Sequence, residues 1–174
     1  MDLLQEACMW TQSSEGRKLI EEISKDIVVE VAPEEIDLFD ELLMEYFQDP
    51  APPDLSTKPK DAPLGFGLGE VLIAVTPAVA AMVDAVLNYL VSETIKAAQG
   101  ESAALIKRKV SGLFNPERKD ETTSKPGRDD VVPLTREQLE QVKKLARKQA
   151  IKFGIGPDKA EKMATALIGS LALS

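Results

Sequence analysis

Histidine is absent from the chain, and cysteine occurs once, as Cys8. Without imidazole there is no Ser–His or Cys–His nucleophile pair, no histidine metal ligand and no side chain that ordinarily titrates near neutral pH. A single cysteine excludes an intrachain disulfide and any CxxC zinc or redox site. Flanked by Met9 and Trp10, Cys8 reads as a buried small side chain rather than a nucleophile. A basic, apolar leader is also missing: Met1–Glu6 holds Asp2 and Glu6 and no Lys or Arg. That start predicts no secretory signal, and the low cysteine usage fits a reducing cytoplasm. What is present is ordinary for a globular protein: 174 residues, 44% apolar and 29% charged. A chain of this length can bury a real core.

Charge is distributed unevenly. The net −8 resolves into −11 over residues 1–62, zero over 63–114, −1 over 115–132 and +4 over 133–174. An acidic head and a basic tail either attract each other or attract different partners; otherwise they are solvated surfaces.

The apolar spacing predicts helices. Leu19, Ile20 and Ile23 recur at helical intervals, and Ile27–Val31 is a β-branched run that reads as a short strand. Pro33 opens a stronger helix, with Glu34 and Glu35 at its positive end and a stripe of Ile36, Phe39, Leu43, Tyr46 and Phe47. Asp49 and Pro50 close it. Residues 50–63 hold five of the eleven prolines and form a semi-rigid connector. Glu70–Val75 reads as a helix or as a strand pairing with Ile27–Val31. Thr76 and Pro77 have the character of an N-cap and a first helical residue. The helix after them carries Val79, Met82, Val83, Val86, Leu87 and Leu90 on one face. A shorter helix over 101–114 follows, with Leu105, Ile106, Val110, Leu113 and Phe114 as its apolar side.

Residues 115–132 are polar, charged and rich in Ser, Thr, Pro and Gly, with no large apolar side chain before Val131; they predict a linker. Beyond it the signals are sharpest. Thr135 and Gln138 form a capping box, Leu134 and Leu139 a staple, and Leu139, Val142, Ala146, Ala150 and Phe153 a stripe. Gly154 sits at a C′ position, and Pro157 opens a helix with Ala160, Met163, Ala164, Leu167, Ile168 and Leu171 inward. This is an αα-hairpin.

The candidate sites are surfaces. Glu34, Asp37, Glu41 and Glu45 make an acidic face, with Asp37, Glu41 and Glu45 stacked at i, i+4. Such a stack is repulsive by about 0.2–0.5 kcal/mol per pair, which a basic partner would relieve. No calcium-loop pattern accompanies it. Lys143, Lys144, Arg147, Lys148 and Lys152 make a basic stripe suited to a protein partner or, as an alternative, to nucleic acid. Lys107, Arg108 and Lys109 are a smaller basic cluster. The triplet Gly65, Gly67 and Gly69 lacks both G-x-G-x-x-G spacing and a following Gly-Lys-Ser/Thr, so it reads as a turn. Only 13 residues separate Glu70 from Asp84, against roughly 20 for a membrane span. The segment therefore predicts a buried core helix. The alternative is a membrane-active, pore-forming segment made of Val79, Met82, Val83, Val86, Leu87 and Leu90, exposed by cleavage of the linker near Lys119, Lys125 or Arg128.

The stretch Leu64-Gly65-Phe66-Gly67-Leu68-Gly69 with the apolar helix Val79–Leu90 resembles small helical accessory proteins of bacterial conflict and antiviral defence systems, which accompany effectors such as caspase-like proteases. The resemblance covers about 30 residues. It implies a regulatory or effector-associated role, a protein partner such as a protease, and no catalytic residue.

The reading that follows is mainly α: a helical bundle with room for a minor two-stranded β element and a C-terminal αα-hairpin. Its parts are an acidic head over 1–49, a Pro-rich connector over 50–63, an apolar centre over 64–114 packed on the head, a linker over 115–132 and a basic hairpin over 133–174. The expected function is non-enzymatic interaction or regulation in the cytoplasm. No cofactor, metal or small-molecule substrate is expected, and membrane contact would come only after activation.

Overall fold

The computed structural model describes residues 13–52, 74–97, 103–114 and 134–172. They form six α-helices and one 3-10 segment, and no strand occurs among the described residues. Helix α1 is Ser14–Val31, followed by the 3-10 segment Pro33–Leu38 and α2, Phe39–Gln48. Helix α3 is Val75–Ala97, α4 Ala103–Phe114, α5 Arg136–Lys152 and α6 Pro157–Ala172.

Helix α1 starts where the Ser13 hydroxyl accepts the Gly16 N–H at 3.2 Å. It does not stop before Ile27. Ile27–Val31 continues the helix and is not a strand: Ile20, Ile23, Ser24, Ile27 and Val28 fall on one buried face. The β-branched side chains gain more from that shared burial than from an extended conformation with no neighbouring strand. Helix α1 ends at Ala32, whose position before Pro33 disfavours helical dihedrals.

Pro33 opens a tight 3-10 turn rather than the α-helix itself, which begins at Phe39. The stripe expected across both survives, with Phe39, Leu43 and Tyr46 buried and Ile36 and Phe47 partly so. Asp49 terminates α2; its N–H donates to the Glu45 carbonyl, and its side chain accepts the Ala51 N–H at 3.2 Å, turning the chain at Pro50.

Helix α3 is the axis of the molecule. From Val75 to Val83 every residue but Pro77 is buried, and Val86, Leu87, Leu90 and Val91 follow. A helix apolar on nearly every side needs neighbours on nearly every side, and α1, α2, α4 and α5 all pack on it. Its N-terminus is not capped by Thr76. The Glu35 carboxylate reaches across from the 3-10 segment and accepts the Val75 N–H at 2.7 Å, the Thr76 N–H at 2.8 Å and the Thr76 hydroxyl at 2.8 Å. Glu35 thus compensates the dipole of a helix 40 residues away rather than its own.

The hairpin follows its sequence signals closely. Thr135 and Gln138 close the capping box through bonds of 2.9 and 3.2 Å. Helix α5 ends with the Gly154 N–H donating to the Ile151 carbonyl at 2.9 Å and the Ile155 N–H to the Ala150 carbonyl at 3.1 Å. That pair is a Schellman motif, and it places Gly154 at φ 83°. The hairpin packs against the other described helices. Helix α5 packs on α3 and α6 on α1, so Val142, Ala146, Ala150, Met163, Ala164 and Leu167 join the same core as the head. The boundaries expected at 50–63 and 115–132 fall largely or wholly outside the described residues, as do Cys8 and the glycines at 65, 67 and 69.

Candidate functional site

The acidic face lies where the pattern placed it. Glu34, Asp37, Glu41 and Glu45 are all exposed, and Asp40 joins them. One detail differs: Asp37 belongs to the 3-10 segment, so only Glu41 and Glu45 stack at i, i+4 within α2. Pro33–Gln48 carries six carboxylates and no cation. Five of the six face solvent, and Glu35 alone is turned inward onto α3.

The sequence pattern missed the apolar part of this surface. Large apolar side chains left exposed among the described residues are Val29 at 54%, Leu38 at 53%, Met44 at 62% and Ile151 at 45%. On α2 the residues facing away from the core are Asp40, Glu41, Met44, Glu45 and Gln48, with Met44 at the centre by helical spacing. Leu38 immediately precedes the helix, and Val29 lies between Asp26 and Glu30 on α1. Only the absence of Met44 from the Phe39–Leu43–Tyr46 stripe signalled this in the sequence.

The basic stripe divides in two. Lys143 pairs with Glu161 of α6 at 2.5 Å, and Arg147 approaches the same carboxylate at 3.6 Å. The Lys143 hydrogen bond and the two nearby cations hold the Glu161 carboxyl below the usual glutamate range. Those two cations therefore help to join α5 to α6. Lys144, Lys148 and Lys152 are exposed and form no ion pair among the described residues. They share the outer face of the C-terminal half of α5 with Ile151, while Glu137 and Glu140 occupy its N-terminal end.

The six residues of the candidate membrane segment are buried. Val79, Met82, Val83, Val86, Leu87 and Leu90 are each no more than 1% exposed. Helix α3 is long and apolar enough to cross a bilayer by length and composition, yet its apolar surface is mostly covered by the rest of the bundle. Lys119, Lys125 and Arg128, the candidate cleavage positions, lie outside the described residues.

Between α2, α3 and α5 a small groove of about 260 Å³ opens, lined by Tyr46, Pro50, Asp84, Asn88, Gln149 and Lys152 among others. Asp84 organises it. The Tyr46 hydroxyl donates to one carboxylate oxygen at 3.0 Å, and the Asn88 amide donates to the other at 3.1 Å. Burial, together with the Asp84 charge and hydrogen bond, pushes the Tyr46 phenol far above its ordinary range. Tyr46 is therefore a neutral donor, not a base. The Tyr46 ring meets Phe153 with centroids 6.3 Å apart, tying α2 to the end of α5. The trio can orient and hydrogen-bond, but it contains no nucleophile–base pair. No group of three or more acidic or Cys side chains with metal-binding geometry occurs among the described residues.

The described residues thus form a helical bundle of six α-helices with charged, partly apolar outer faces on α2 and α5. It matches no family model, and neither a curated protein nor a solved structure matches it significantly.

Proposed function

We propose that the protein is a non-enzymatic interaction or regulatory component that works in the cytoplasm through the outer face of α2. One observation carries this reading: Met44, the most exposed large apolar side chain among the described residues, stands inside a ring of Asp40, Glu41 and Glu45 on α2. An apolar centre with a like-charged rim is the composition of a docking patch, where burial supplies affinity and the charges select the partner. The matching partner surface is basic with an apolar centre. The resemblance of residues 64–90 to accessory proteins of conflict systems makes a protease-type effector the first candidate to test.

The test is a pull-down at low salt from the native host, eluted by a salt gradient. The expected result is a partner that leaves with rising salt and is not retained by Glu41→Lys/Glu45→Lys. A partner retained equally by that variant would overturn the assignment to α2.

A second reading is favoured by the length and composition of α3, which suit a bilayer. It is a latent membrane-active effector in which cleavage within 115–132 frees α3. Vesicle leakage that appears only after proteolysis there is its test, and vesicles that stay sealed count against it.

A further inference from the structure

We infer that the α2 face of one molecule docks on the α5 face of a second copy, giving a two-fold dimer. This inference rests on the interaction reading above and names one occupant for its surface. Both halves of the contact are present on each chain. On α2, Met44 is ringed by Asp40, Glu41 and Glu45; on α5, Ile151 neighbours Lys148 and Lys152 and shares its face with Lys144. Among the described residues, the exposed Leu38 and Met44 lie among carboxylates and the exposed Ile151 lies among cations, while Val29 has both Lys25 and Asp26 beside it.

The two faces cannot satisfy each other within one molecule. Tyr46 and Phe153 bring the inner sides of α2 and α5 together, so their charged sides point outward. No ion pair joins them among the described residues. Their sizes match: the 10 residues of α2 and the nine from Lys144 to Lys152 each extend roughly 15 Å at 1.5 Å per residue. Antiparallel docking sets the acidic start of α2 against the basic end of α5. The ends of the two helices flank one groove, with Tyr46 lining it from α2 and Gln149, Lys152 and Phe153 from α5. A two-fold axis can then use each face once on each copy and leave none unpaired, which closes the assembly at two.

The experiment is sedimentation equilibrium of the full chain at about 0.1 M and about 1 M salt, where the Debye length falls from about 10 Å to about 3 Å. A dimer at low salt whose dissociation constant rises about tenfold or more at high salt is expected. Two charge-reversed variants sharpen the test, Glu41→Lys/Glu45→Lys and Lys144→Glu/Lys148→Glu; all four positions are away from the core, and circular dichroism checks that each variant folds. Each alone should be a monomer, and an equimolar mixture should re-form a dimer, because each then offers the charge the other lacks. A monomeric wild-type chain at low salt overturns the inference, as does a mixture that stays monomeric. A monomer that still captures a heterologous partner through α2 would end this inference while leaving the interaction reading standing.

Discussion

Tyr46 shows how a single residue can be apolar in the sequence pattern and polar in its consequence. Its ring belongs to the stripe of α2, but its hydroxyl is bound to Asp84, 38 positions away. Tyr46→Phe would leave Asp84 short of a donor at a half-buried site and should cost about 1–3 kcal/mol in urea unfolding. The pH dependence has a definite sign. The folded-state phenol titrates above its unfolded value near 10, so its contribution is complete below that pH and is lost as the pH rises. Stability should decline above about pH 10, and less steeply in Tyr46→Phe. Glu161 has the opposite sign. Its depressed titration means a contribution present above the ordinary glutamate range and lost in acid; Lys143→Gln should return its NMR titration midpoint toward normal. Gly154 completes this scale: at φ 83°, Gly154→Ala should destabilise by about 1–2 kcal/mol. The glycine's role was legible from its place after the α5 stripe. The partners of Tyr46 and Glu161 were not, because nothing in a one-dimensional pattern measures the distance between helices.

At the scale of elements, the ends of helices separate local from tertiary control. Helix α5 is capped by residues adjacent in sequence, and Thr135, Gln138, Gly154 and Pro157 all act as their order implies. Helix α3 is capped from elsewhere. Glu35→Gln keeps the side-chain size but removes the charge facing the α3 N-terminus, and should cost about 1–2 kcal/mol. Amide exchange at Val75 and Thr76 should accelerate more than at Leu87, which localises the loss to that end. Helix α1 illustrates the reverse failure of local reasoning. The intrinsic β preference of Ile27–Val31 was real, but the preference is worth less than burying Ile27 and Val28 beside Ile20 and Ile23. Val29, left on the outside at 54% exposure, is the residue that still shows this conflict.

At the scale of the molecule, the central event is the enclosure of α3. Leu87→Ala removes side-chain volume at a fully buried position and should destabilise the whole bundle by about 2–5 kcal/mol, read as a cooperative shift in unfolding midpoint. The same enclosure predicts that the intact chain leaves anionic-lipid vesicles sealed, since the face that would meet lipid already meets protein. The hairpin takes part in this enclosure. Its stripe looked complete as a two-helix unit, yet a pair of helices cannot cover both apolar faces without further layers. Helices α3 and α1 provide them.

Read alone, the order of residues determined the helical class, the stripes of α2, α5 and α6, the hairpin turn and the existence of separate acidic and basic faces. These depend on spacing of 3 to 4 residues and on cap chemistry, both of which act within a turn or two of chain. Only the tertiary structure decided that Ile27–Val31 is helical, that Glu35 caps α3, that Glu161 binds Lys143 and Arg147, and that Met44 and Ile151 stay exposed among charges of opposite sign. Each of those outcomes rests on which helix packs beside which, and that is settled by mutual burial around α3 rather than by any local preference.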